Sequence, residues 1–471
     1  MRSSGPGYFY SMPKAQSFQT DAETKAFDLE HRRKIRFNIG KYDAAVSAGL
    51  GHYQNHELAR SRAAYLKAGV LEKLDEYLLQ FEAAFVARGG RVVWANTAEE
   101  ALAEIGRLTE ARQARTVVKA KSMTTEEIHV NHYLHGRGVE SVETDLGEYI
   151  VQLNGERPYH IVTPAMHLSK ADIAGIFVKH LGIEPTDDAQ ELVAHARRLL
   201  RHKYTSAEVG ITGGNFLIAK EGAVAVTENE GNARLSATFP DLHIAVVGIE
   251  KLIPQLTDLG LFWPLLSTSG TGQQVTVYNT VYFGPRQPGE VDGPQEMVVI
   301  LLDNGRTNLL ARPDRREALR CIRCGACLNV CPVYKNIGGH TYETTYSGPI
   351  GSVISPHLSG LKEHQHLSYA SSLCGACTSV CPVRINLHNL LLLNRQEAVR
   401  EGHNSPVEKA AIGLWRWSMR HRWALDVLPG RLKDFSLGYL LDQSGWRRRR
   451  ESLRVADKSF WELWRAERGD K

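Results

Sequence analysis

Cysteine is scarce in this chain and unevenly placed. There are seven in 471 residues, and all seven lie between positions 321 and 381. A disulfide framework spread over the molecule is therefore excluded. No apolar run approaches the length needed to cross a bilayer. The opening residues, MRSSGPGYFYSMPKAQSF, lack the apolar stretch of a secretory signal. The pair Arg32-Arg33 runs into KIRFNIGKYD and is no twin-arginine signal. A cytoplasmic location is expected. Phosphate-loop and dinucleotide fingerprints are missing too: no G-x-x-x-x-G-K and no G-x-G-x-x-G follows a strand-like segment.

What is present suits a globular protein of two or three domains, with 43% hydrophobic and 23% charged residues. The net charge of +5 is mild, and much of the excess sits in WRWSMRHRW and GWRRRRESLRVADK near the end. Such a tail suits an acidic partner, a peripheral membrane contact or plain solvation. No nucleic-acid reader motif accompanies it, so no nucleic acid is expected as partner.

The order of segments predicts four regions. Residues 1–54 read as an arm with a short helix. Residues 55–305 alternate helical and strand-like patterns, from NHELARSRAAYLKAGVLEKLDEYLLQFEAAFVARGG through GRVVWA and RTVVKAKS to LHIAVVGIE and MVVILLD. That alternation argues an α/β domain with a largely parallel sheet. Thr124 and Glu127 stand at capping-box spacing before a helix. Residues 306–395 are strand-poor and hold the cysteines. Residues 396–471 are helical and rich in tryptophan and arginine, with a break at Pro429-Gly430.

Cys321, Cys324, Cys327 and Cys331 have C-x2-C-x2-C-x3-C-P spacing, and Cys374, Cys377 and Cys381 repeat most of it. This is the two-cluster ferredoxin pattern, in which the last cysteine of each stretch serves the other cluster. Zinc is the weaker reading, because it commonly takes ligands in pairs. The crossover rule assigns Cys321, Cys324, Cys327 and Cys381 to one 4Fe-4S cluster, A. Cys331, Cys374 and Cys377 go to a second, B. Ser371 occupies the place of the eighth cysteine. It either supplies an oxygen ligand or only turns the loop, and the fourth ligand stays open. Cluster B is then the one expected to pass readily to a 3Fe-4S form. The long insertion between the stretches carries His340, His357, His364 and His366, which are weaker ligand candidates.

The stretch CIRCGACLNVCPVYKNIGGHTYETTYSGPIG, followed by LCGACTSVCPVRINLH, resembles the lactate utilization protein B family. AKSMTTEEIHVNHYL, ETDLGEYIVQL and GITGGNFLIAKEGAVAVTENEGNARL resemble its LUD domain. The resemblance implies a fold similar to sugar-phosphate isomerases and coenzyme A transferases. It also implies an electron-transfer role in oxidising L-lactate to pyruvate, with two companion subunits and an electron acceptor left unnamed. The same seven cysteines are its implied cluster ligands.

Two further readings compete. The LUD-like domain can itself be the catalytic unit for a small 2-hydroxy acid, or the chain can be an iron–sulfur redox sensor. An iron–sulfur pair takes single electrons, not a hydride, so a two-electron centre must precede it. Four loops are candidates for that chemistry. TGGN (212–215) and STSGTGQQ (267–274) can offer backbone N–H groups to an anion. ETDLGE supplies Glu143, Asp145 and Glu148, and TENEGN supplies Glu228 and Glu230, as acid–base candidates.

Overall fold

The computed structural model describes residues 15–404 without a break, then 406–421, 423, 430–443, 450–451, 453–458 and 460–469. It divides into two compact units, Met1–Ala398 and Val399–Lys471.

In the first unit ten strands form two sheets. They are β1 (Arg91–Ala95), β2 (Thr116–Lys119), β3 (Glu140–Glu143), β4 (Val209–Thr212), β5 (Phe216–Ile218), β6 (Ala223–Glu228), β7 (Leu242–Gly248), β8 (Leu252–Ile253), β9 (Tyr278–Tyr282) and β10 (Glu296–Leu302). Six of them build one sheet in the order β1-β10-β7-β4-β2-β3, with every pairing parallel. The central strands β7 and β10 are near-continuous apolar runs, as strands covered on both faces must be. Their side chains alternate between two cores. Ala245, Val247, Val299 and Leu301 face one, while Ile244, Val246, Val298 and Ile300 face the other. The α/β reading with a largely parallel sheet therefore holds.

A second sheet, ordered β8-β5-β6-β9, was not foreseen. Its β5–β6 and β6–β9 pairings are antiparallel. The β5–β6 turn closes at Gly222, with φ +60°. A Cβ there would sit 2.3 Å from the Phe85 nitrogen, so only glycine lets the hairpin lie on the helix Leu74–Val86.

The N-terminal segment carries more helix than its sequence suggested. After the helix Ala15–Phe27 comes a 22-residue helix, Leu29–Leu50, capped by the Asp28 side chain on the His31 N–H. Its Ile35 and Ile39 enter the largest core cluster, together with Phe262 and Leu265 of the helix Leu259–Thr271. The two helices meet at Gly49, where a Cβ would stand 2.4 Å from the Gly272 carbonyl oxygen. That same cluster includes Cys324, Cys327, Cys331, Cys377 and Cys381. The described residues after Leu302 form no strand. The cysteines sit instead in and on either side of the short helices Ala326–Asn329 and Ala376–Ser379.

In the second unit the helix Pro406–Arg420 buries none of its residues, and Trp415 and Trp417 are exposed. The Trp417 and Trp423 rings meet edge-on at 5.6 Å. Arg422, Pro429 and 444–449 of the arginine-rich end lie outside the described residues. No helix among the described residues is long and apolar enough to cross a membrane.

Candidate redox site and its adjoining cavity

Both cysteine stretches use one backbone device. Arg323 and Gly325 take left-handed φ values of +60° and +82°, and Leu373 and Gly375 repeat them at +54° and +80°. Each glycine caps the short helix that follows. The chain thus curls in the same way twice, as the sequence duplication implies. In the first curl the Arg323 N–H donates to Cys321 Sγ at 3.4 Å. In the second the Leu373 N–H donates to Ser371 Oγ at 3.1 Å. The serine hydroxyl and the cysteine thiol occupy the same place relative to their loops.

None of the seven cysteines is in a disulfide. Cys324 and Cys327 are buried, and burial raises both thiols, with Cys321 and Cys381 among the charges that raise them further. Burial pushes the Cys381 thiol up to about 11, and its nearest thiol influence is Cys321. Cys331 is raised by burial and feels Cys374. Cys377, pushed up to about 11 by burial, feels Cys331 and Cys374. Buried thiols gathered this way are poor candidates for free acids. They suit soft metal centres that hold them as thiolates. Backbone N–H groups also point at sulfur, from Arg323 to Cys321 and from Ile385 to Cys381, each at 3.4 Å. Such donors belong to the surroundings that tune iron–sulfur clusters. The donor set therefore fits iron–sulfur clusters. Both sets are mostly buried, but the least covered thiol of the first, Cys321, is half-buried while that of the second, Cys374, is exposed.

Cys324 also forms part of the wall of a cavity of about 260 Å³. The candidate loops converge on it. Asp145, Gly213, Gly214, Asn215, Glu228, Glu230 and Ser267 all line it. Sequence reasoning missed three further lining residues, Lys251, Arg323 and Tyr346. A signal for the first existed: Glu250 and Lys251 interrupt the otherwise apolar run IAVVGIEKLI. Charged residues in such a run are costly unless paired or functional.

The loops do not all act as their composition suggested. Gly213 and Gly214 are absent from the left-handed region, and added Cβ atoms would meet Ser122 Oγ at 2.6 Å and Val247 at 2.8 Å. They are small for close packing, not for an anion nest. Ser267–Thr271 is the last turn of the helix Leu259–Thr271, whose hydroxyls donate back to carbonyls. A helix C-terminus presents carbonyl oxygens and cannot cradle an anion.

The acidic candidates divide into two groups. Glu143 and Glu148 lie outside the cavity wall around fully buried Lys119, whose Nζ is 2.7 Å from Glu143 Oε1 and 3.1 Å from Glu126 Oε1. Burial beside Glu143 holds the Glu148 carboxyl well above the usual range. Two buried carboxylates this close share a proton. Asp145 accepts the Glu148 N–H and caps its helix while facing the cavity. Glu230 is exposed yet accepts the Leu146 N–H at 2.9 Å, and partial desolvation with Asp145 beside it pushes its carboxyl up to about 7.

Glu127 does not close the expected capping box. Ser122 caps that helix instead, through the Thr125 N–H. Glu127 is drawn off by Arg306, which reaches it from Nη1 at 2.9 Å and Nη2 at 2.8 Å, and by the Tyr346 hydroxyl at 2.6 Å. Arg306 also donates from Nε to Glu250 at 2.6 Å, and the Arg323 guanidinium lies 4.4 Å from the Tyr346 ring. This buried network joins the ends of the parallel sheet to the first cysteine curl. Of the inserted histidines, His364 Nδ1 meets the Gly360 carbonyl at 3.2 Å, and His366 has no hydrogen bond on either ring nitrogen among the described residues. His340 lies with Glu156 and His167, and His357 pairs with Asn394 at 2.9 Å.

Comparison with known proteins matches residues 78–302 to the LUD domain and residues 317–385 to the 4Fe-4S dicluster domain. Lactate utilization protein B of Bacillus licheniformis is 44% identical over 410 residues, covering 85% of this chain and 84% of its own. The Bacillus subtilis protein of the same name is 45% identical over 399 residues, covering 83% and 82%. The Escherichia coli "uncharacterized electron transport protein YkgF" is 43% identical over 383 residues, covering 81% and 80%.

Proposed function

Because the chain belongs to the lactate utilization protein B family, we propose that it is the iron–sulfur electron-transfer subunit of a system oxidising L-lactate to pyruvate, working with two companion subunits. A part in lactate utilisation and electron transfer follows from its relatives and its 4Fe-4S dicluster domain. The finer reading rests chiefly on one observation: the cysteines run from a cavity wall, at Cys324, to the surface, at Cys374.

In this proposal Cys321, Cys324, Cys327 and Cys381 hold cluster A, and Cys331, Cys374 and Cys377 hold cluster B. The mutual influence of the thiols within each set supports that division. Two 4Fe-4S clusters held there would supply single-electron transfer. The chain's own part is to bury Cys324, Cys327 and Cys381 of the first set and to present the second set, through Cys374, to a redox partner. Ser371 is the candidate for the remaining ligand, since its oxygen stands where Cys321 places sulfur. The test is anaerobic purification with all co-purifying proteins, followed by iron, sulfide and flavin analysis. About eight irons in this chain, two companions and a two-electron centre in one of them are expected. A chain free of iron, or one that purifies alone under every condition, contradicts the reading.

A further inference from the structure

The cavity beside Cys324 holds two cations whose charge the protein leaves incompletely answered. Lys251 is 6% exposed, lines the cavity and has no hydrogen bond or ion pair among the described residues. Arg323 reaches Glu250 only at 3.5 Å through Nη2, and its buried Nη1 has no partner. Arg306 Nε takes the other Glu250 oxygen, Oε2, at 2.6 Å, while Oε1, which faces Arg323, has no hydrogen bond among the described residues. Buried cations without close counter-ions are expensive, and an anionic ligand would relieve that cost. The same cavity carries the Asp145–Glu230 pair, a hydrogen-bonding group for a hydroxyl. Its volume of about 260 Å³ stands near the lower edge of small-molecule sites, so a small ligand fits with room to spare.

We propose that this cavity binds a small 2-hydroxy carboxylate, with its carboxylate on Lys251 and Arg323 and its hydroxyl at the Asp145–Glu230 pair. This deepens the electron-transfer reading and rests on it, because Cys324 shares the cavity wall. The competing account is that the cations serve only the thiolates, since Cys321 is among the charges acting on both.

Calorimetry and electron paramagnetic resonance on the anaerobically purified full chain separate the two. The probes are L-lactate, oxalate, acetate and inorganic phosphate. L-Lactate and oxalate should bind and alter the spectrum of the reduced protein. Lys251→Met should weaken both by about tenfold or more, the worth of one charge-assisted contact, and Lys251→Arg should restore much of the loss. Glu230→Gln should weaken L-lactate several-fold and leave oxalate, which has no alcohol hydroxyl, unchanged. Iron-loaded protein that binds no carboxylate, prefers phosphate, or binds equally well as Lys251→Met overturns the site while leaving the electron-transfer reading in place. Protein that never acquires iron overturns that reading and this one together.

Discussion

At the scale of single residues, Ser371 stands where the second cysteine curl lacks a thiol. Its oxygen accepts the Leu373 N–H as Cys321 sulfur accepts that of Arg323. An oxygen ligand holds iron less firmly than a thiolate, so cluster B should be the one that passes to a three-iron form in air. Ser371→Cys should suppress that change, while Ser371→Ala should lose the fourth iron even without air. Electron paramagnetic resonance on air-exposed and anaerobic samples of the three proteins decides it. Wild type with no three-iron signal after exposure counts against the lability, and Ser371→Ala with a normal cluster B counts against serine ligation. Arg306 is the second decisive residue. Replacing it with methionine leaves Glu127 and Glu250 buried with their main counter-charge gone. A loss of about 3–5 kcal/mol is expected, read as a lower denaturant midpoint. A loss under about 1 kcal/mol, the worth of a surface pair, would mean the network is not structural.

At the scale of elements, the helix Leu146–Leu153 carries a pH dependence. Glu148 keeps a proton in the fold because burial and Glu143 raise its carboxyl well above the ordinary 4.5. Between the unfolded and folded values the native state binds the extra proton, so stability falls as pH rises, by up to about 1.4 kcal/mol per unit. Glu148→Gln removes the titrating group. Its melting temperature should match wild type near pH 5 and exceed it increasingly toward pH 8. Parallel melting curves across that range contradict the shared proton.

The elements also show what could be read from the chain beforehand. Strands β7 and β10 were plain because both of their faces are buried, which leaves an apolar run. The cysteine curls were plain because ligand geometry imposes short, regular spacing. The capping box at Thr124 misled because Glu127 has a stronger partner 179 residues away in Arg306. The loop reading of 267–274 misled because its hydroxyls bond back to carbonyls of their own helix. Lys251 and Arg323 come together only when the chain closes, and no local pattern links positions 251 and 323.

At the scale of the whole molecule, the second unit is the candidate for docking the companion subunits. Its helix Pro406–Arg420 exposes Trp415, Trp417, Ile412 and Leu414 beside Arg416 and Arg420, a mix of aromatic anchor and basic rim that suits a partner groove. Truncation after Asn404 should weaken co-purification of the companions and leave the cluster absorbance intact. Unchanged co-purification contradicts the docking role.

The most direct measurement mixes the anaerobic chain with its companion subunits and L-lactate, then freezes the sample for electron paramagnetic resonance. Signals of reduced iron–sulfur clusters should appear as pyruvate forms, and should be absent without lactate or without the companions. Pyruvate accumulating while the clusters of this chain stay oxidised would contradict the account.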